Sequence, residues 1–295
     1  MALLAIIFLA CGTAGCSGPA LVKPSGTGDT SAVHAATPVP IRFLLSFDDG
    51  PAASGPNSPT LSILADLADN PLQPGIKALF FLQTRAARAG GSALGRQIMQ
   101  READAGHVLG FHTATAGHSN HRTLAPAALE QSLSDGSADI RAVAGTAPIL
   151  VRPPYWNYDA RTLAAYRLHG MHMLLTDLSA NDGKIWGVNF SLRRRSSLLH
   201  QLDAVRRQIA AGALPAIDGA IPVIVTFHDI NPYTARHMRE YLQILLDSAQ
   251  QLDLRTAARP FYDDRAELER AALARTVDSA SLPMRLPGLW NWIWN

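Results

Sequence analysis

A chain of 295 residues, 47% hydrophobic and 17% charged, can form one large domain or two ordinary ones and is too apolar to be disordered throughout. Its formal charge of +2 supplies no electrostatic footprint for nucleic acid, so no nucleic-acid partner is expected. The densest basic run, Arg193 to Arg195, reads as a solvated loop.

The chain opens on "MALLAIIFLACGTAGCSG", an unbroken apolar run over 2–11 followed by small residues. That run suits the apolar region of a signal peptide and is short for a bilayer span. Both cysteines, Cys11 and Cys16, fall inside it, so neither a disulfide nor thiolate chemistry is expected of the mature protein. "TAGC" resembles a bacterial lipoprotein cleavage site. Two readings stay open, a plain secretory signal over 1–16 and membrane anchoring through a lipidated Cys16. Both predict export, to the periplasm, the membrane surface or the medium.

Residues 17–40 are rich in Ser, Gly, Thr, Pro and Ala and read as a flexible tether. From Ile41 onward short apolar runs alternate with helical periodicity. Strands are expected over 41–46, 77–82, 107–111, 148–151, 171–176 and 222–227. Ser58-Pro59 opens a helix with Leu61, Leu64 and Leu67 along it. Further helices are expected over 92–105, closed by Gly106, over 126–143, and over 159–169, followed by Gly170. Alternating strands and helices predict a parallel α/β sheet or barrel, with functional residues at the C-terminal strand ends. No internal repeat is visible. The segment 263–295 reads as a charged, helical extension ending in the tryptophan-rich "LPGLWNWIWN".

Nearly every expected strand runs into a polar cluster. The first yields Asp48 and Asp49, and the third "GFHTATAGHSNH" with His112, His118 and His121. "RPPYW" follows the fourth, "TDLSAND" with Asp177 and Asp182 the fifth, and His228 and Asp229 the last. Together they bring carboxylate, imidazole and guanidinium to one rim, as a hydrolytic metal site requires. One carboxylate and two histidines form an open three-ligand set for zinc or a similar divalent ion, with cobalt, nickel and manganese as alternatives. Adjacent aspartates become tolerable if one ligates a cation and an arginine holds the other.

"SFDDGP", "KALFFL", "GHVLGFHT", "RPPY" and "VIVTFHD" occur in that order, and the set resembles the polysaccharide deacetylases, the NodB-homology group of carbohydrate esterases (family 4). The resemblance covers about 41–262 and implies a distorted (β/α) barrel, with seven strands expected, that deacetylates sugars with a divalent metal. Carried over position by position, it implies Asp48 as catalytic base, Asp49 and His112 as metal ligands, and Arg152 as the residue orienting the base. It also implies that the Tyr155 backbone N–H holds the oxyanion, that His228 is the acid, and that Asp182 positions and charges His228. The implied partner is an acetylated polysaccharide. Alternatives are an O-acetyl esterase or deformylase, and a degraded glycan-binding protein without metal.

Three positions depart from the family pattern. The second metal histidine would stand at position 116, one helical turn after the first, but that residue is Ala116. His118 lies about 240° round a helix from His112, so the two converge only if "TATAG" loops out; the following "LAPAALEQSL" favours His118 over His121 as the ligand. In "DLSAND" Ser179 and Gly183 replace the usual aspartate and tryptophan. Trp156 replaces a common glycine, either facing sugar or filling the core. His107 is expected to be structural, His121 a surface residue or a support to the ligands, and Asp177 and Asp229 turn caps or supports of His228.

Overall fold

The structure, a computed structural model, describes residues 38–182 and 194–279. The signal segment with Cys11 and Cys16, all but 38–40 of the tether, Gly183, Arg193 and the terminal tryptophans lie outside the described residues.

Among the described residues, eight strands and eight α-helices follow one another. Ile41–Asp48 (β1) leads through Pro59–Ala68 (α1) to Leu79–Gln83 (β2), and Ala93–Asp104 (α2) leads to Val108–Thr113 (β3). Pro126–Ala144 (α3) precedes Leu150–Val151 (β4), Ala160–Leu168 (α4) precedes His172–Met173 (β5), and Leu178–Ser179 (β6) follows at once. Then come Arg194–Ala210 (α5), Ile221–His228 (β7), Pro232–Arg236 (α6), Met238–Gln251 (α7), Thr256–Phe261 (β8) and Arg265–Leu273 (α8). Hydrogen bonding runs β5-β4-β3-β2-β1-β7-β6, seven strands all parallel, with β8 pairing beside the first half of β1. The result is a curled half-barrel wrapped by helices, the expected α/β architecture. Four residues, 174–177, join its two end strands.

Period-2 alternation decides what each strand sends inward. In β1, Phe43, Leu45 and Phe47 join the large cluster beneath the helices, whereas Leu44 joins Phe81, Leu150, Leu174 and Ile224 in a second one. Ser46 and Asp48 share the face of Leu44, and the register pairs them with Thr226 and His228. The same count places His112 after Gly110 and Arg152 after Leu150. The second cluster is therefore apolar at its base and turns polar toward the C-terminal rim. Leu268, Ala271 and Ala272 of α8 belong to it, so the described part of the C-terminal segment packs into the same body. Arg275 fastens that segment further, with an ion pair to Asp177 at 2.7 Å.

Local signals account for most helix ends. Ser92 and Asp159 cap α2 and α4 through their side chains, and Gly106, Gly145 and Gly170 leave α2, α3 and α4 with left-handed φ. Ser58 precedes Pro59 but does not cap α1; its hydroxyl donates to the Ala52 carbonyl, 2.7 Å away. α3 lies so close on β3 that a Cβ at Gly136 would collide with the Phe111 ring.

Some expectations change. β6 and β8 were not foreseen, and the strand expected over 171–176 is only two residues long because the chain turns there to join β6. Arg194 and Arg195 are not loop residues but open α5, where they pair with Glu240 and Asp247 of α7. No helix among the described residues is long and apolar enough to cross a membrane.

Candidate active site

β1 ends by driving two carboxylates into a sharp turn. Asp48 is the last strand residue and nearly fully buried, whereas Asp49 has φ 74° and leaves in the opposite sense. Left-handed backbone is costly for a side-chain-bearing residue, by roughly 1–2 kcal/mol. Of six such non-glycine residues among those described, Asp49, Tyr155, Trp156 and Asn181 stand on this rim or beside it. Strain so clustered is the pattern of a functional site. Gly50 completes the turn, because any Cβ there would collide with the Asp229 carboxylate. Asp229 is fully buried and accepts from Thr60 Oγ1 at 2.6 Å. Burial and the charge of Asp49 raise its pKa above the usual carboxylate range, against the opposing Thr60 hydrogen bond.

Asp49 Oδ1 lies 3.2 Å from His112 Nε2 and 3.3 Å from His118 Nε2, and the two nitrogens are 3.0 Å apart. The chain between the histidines forms no helix; residues 114–120 loop out and return His118 to the rim. His112 Nδ1 donates to the Arg152 carbonyl at 2.7 Å, which leaves Nε2 with its lone pair toward Asp49. Burial pulls the His118 pKa down to about 4 against the pull of Asp49, so its ring is neutral at pH 7. For Asp49, burial opposes ionisation, but the imidazoles of His118, His112 and His228, whenever they carry a proton, outweigh it and hold the carboxyl well below the usual range. Asp49 Oδ1 is buried and has no hydrogen-bond donor. A carboxylate oxygen and an imidazole lone pair facing each other without a proton between them repel; a cation relieves that repulsion. One oxygen and two nitrogens within 4.8 Å of one another fit a divalent ion of the zinc type.

Arg152 is wholly buried and distributes its donors across the barrel seam. Nη1 reaches Asp48 Oδ1 and Ser46 Oγ, both at 2.8 Å, while Nε and Nη2 reach the carbonyls of Leu174 and Leu175 at 3.1 and 3.3 Å. Its guanidinium lies between two rings, Phe81 at 4.2 Å and Trp156 at 5.0 Å. Trp156 thus covers the arginine that holds Asp48.

Across the mouth, His228 Nδ1 meets Asp182 Oδ1 at 2.8 Å, and Nε2 comes within 3.9 Å of Asp49. Asp182 is fully buried, accepts from the His228 N–H at 2.9 Å and from Thr234 Oγ1 at 2.5 Å, and its carbonyl is bonded by Asn231. Burial works against an imidazolium at His228, but the Asp182 charge and hydrogen bond prevail, with Asp49 and Asp48 adding, and the pKa rises to about 10.

The structure therefore brings Asp48, Asp49, His112, His118, Arg152, Asp182 and His228 to one mouth, with Tyr155 over His118. His121 stays out of the ligand cluster. It is fully buried rather than on the surface, bonded to Tyr166 Oη at 2.9 Å and stacked on Phe111. His107 is buried and accepts the Ala78 N–H. His169, His200 and His237 lie on helices or at their ends, and His172 is in β5. Sequence reasoning missed Ser46 and Thr234, whose hydroxyls bond the Arg152 and Asp182 side chains. For Ser46 a signal existed, since strand alternation puts it on the face of Asp48.

A sequence model of polysaccharide deacetylases matches residues 36–174. A chitin deacetylase of Pestalotiopsis sp is 30% identical over 145 residues, 49% of this chain and 44% of that protein, so the match spans less than half of the relative's length. Two solved structures share the fold. The chitin deacetylase of Colletotrichum lindemuthianum matches with a TM-score of 0.53 and 22% identity over 74% of this chain and 85% of its own. A family 4 acetyl xylan esterase from Clostridium thermocellum, solved with a cobalt ion, matches with a TM-score of 0.52 and 20% identity over 81% and 99%. The motifs, the half-barrel that carries them and these relatives agree, and residues 36–174 match the polysaccharide deacetylase domain, the NodB-homology group.

Proposed function

We propose that the protein is a divalent-metal hydrolase that removes N-acetyl groups from a polysaccharide of the cell envelope or its surroundings. The observation that supports this most is the meeting of Asp49, His112 and His118 within 4.8 Å of one another, with His228 Nε2 3.9 Å from Asp49 and Asp48, held by Arg152, next to Asp49 in the chain. A divalent ion held by those three residues, zinc being our choice, would polarise the substrate carbonyl and make water acidic. Asp48, oriented by Arg152, takes the proton of the attacking water. The Tyr155 N–H donates to the carbonyl oxygen as negative charge gathers there. His228, protonated against Asp182, then gives its proton to the departing nitrogen. An amide requires that donation, because an amide anion is too basic to leave unaided; an ester requires it less. On the strength of the apolar leader we also propose that the protein acts after export, either released or anchored through Cys16.

Acetate release from chitin oligosaccharides, peptidoglycan and acetylated xylan, with zinc and with a chelator, tests the proposal. Acetate from the N-acetylated glycans should disappear on chelation and in D48N. Turnover of the ester alone would make the protein an O-acetyl esterase. Neither metal binding nor acetate release would leave a glycan-binding protein.

A further inference from the structure

His118 stands six residues beyond His112 on a loop without helical hydrogen bonding, so no regular backbone fixes its distance from its fellow ligand. The loop has internal braces: Thr113 and Thr115 hydroxyls 3.1 Å apart, Thr115 on the Gly117 carbonyl, and Ser119 N–H on the same carbonyl at 3.0 Å. The space beside its tip is open, for nothing lies within 4 Å of where a Cβ at Gly117 would stand. Tyr155 reaches this loop from the turn after β4. Its hydroxyl donates to the His118 carbonyl at 2.8 Å, and its ring centroid lies 4.4 Å from that of the imidazole, tilted by 31°. The residue is 53% exposed, so its ring contributes little to the core. The backbone is left-handed at both Tyr155 and Trp156.

We propose that the side chain of Tyr155 is a positioning residue that clamps the imidazole and carbonyl of His118, standing in for the helical turn that would align two histidines four residues apart. This rests on the metal-site reading above and is distinct from any role of the Tyr155 backbone N–H. It makes the four residues 152–155 a single alignment device. The Arg152 side chain holds Asp48, the Arg152 carbonyl fixes the His112 tautomer, and the Tyr155 side chain fixes His118. Groups that orient metal ligands commonly change metal affinity by about 10–100-fold when removed.

Zinc affinity of the full chain, measured in competition with a chromophoric chelator, tests the clamp alongside the thermal midpoint of the metal-free protein. Y155F, which keeps the ring and loses the hydroxyl, should bind zinc about 3–10-fold more weakly, the worth of one ordinary hydrogen bond. Y155A should lose about 10–100-fold. Because the side chain is half-exposed, both metal-free midpoints should stay near that of the unaltered chain. Zinc affinity in Y155A equal to the unaltered chain's overturns the clamp and leaves the metal site standing. A collapse of the metal-free midpoint in Y155A would make the residue structural and overturn the clamp as well. Failure of the unaltered chain to bind zinc overturns the metal site and the clamp with it.

Discussion

Replacing Arg152 by methionine removes the guanidinium that pairs with a buried carboxylate. At 2.8 Å and an effective dielectric of about 20, the Asp48–Arg152 attraction amounts to about 6 kcal/mol before desolvation is counted. Truncating one member of a buried pair costs about 3–5 kcal/mol, because the other charge is left unpaired. R152M also strands the carbonyls of Leu174 and Leu175, so it should fall at the upper end of that range. The decisive quantity is the coupling. D48N removes the charge that R152M strands, so D48N should be stabilising in the R152M background by at least about 2 kcal/mol relative to its effect in the unaltered chain. Relief of repulsion between positions 48 and 49 accompanies D48N in both backgrounds and cancels in the cycle. Urea unfolding of the four chains, at one pH and without metal, measures this. A coupling energy below about 1 kcal/mol would refute the view that Arg152 is the buried partner of the Asp48 carboxylate.

Because Asp182 raises the His228 pKa, D182N should lower it and move the alkaline limb of kcat/KM to lower pH by about 1–3 units; an unmoved limb in D182N would exclude His228 as the titrating acid. A dication at the neighbouring ligands would also pull the His228 pKa below 10, so the loaded enzyme should lose activity at a lower pH than that. Burial, helped by Lys77, holds His107 down at about 3, so it is neutral in the fold, whereas an unfolded histidine titrates near 6.5. Between those values the unfolded chain takes up a proton that the folded chain refuses, so stability is complete above about 6.5 and is lost as pH falls toward 3. At pH 5 the loss from this residue is about 2 kcal/mol. H107N should therefore show a drop in unfolding free energy between pH 7 and pH 5 that is smaller by about that amount, and an undiminished drop would contradict a neutral His107.

The rim residues were legible because parallel strands in a half-barrel alternate strictly, so an apolar run ending in a charged residue announces both the strand and its active end. "LLSFDD" does this for β1 and "VIVTFH" for β7. The seam was not legible. "MHMLLT" reads as one strand, yet it holds only the two residues of β5 and most of the four-residue turn that leads to β6, and the Arg152 side chain supplies donors to carbonyls there. Arg152 comes from 22 residues upstream of Leu174, and no local pattern encodes such a contact. β8 was missed because "TAARPF" is half-exposed, lacks clean alternation and pairs with β1 only at Ile41 and Phe43. His121 looked like a surface residue in a polar loop; a stacking partner from β3 and the Tyr166 hydroxyl from α4 bury it.

The account stands on a cation held by three side chains, and zinc uptake measures that directly. The dialysed full chain should take up one zinc per molecule, H118A should lose it, and H121Q, altered at a ring bonded to Tyr166 rather than to the cluster, should retain it. An unaltered chain that binds no zinc, or an H118A chain that binds it with undiminished affinity, would contradict the account.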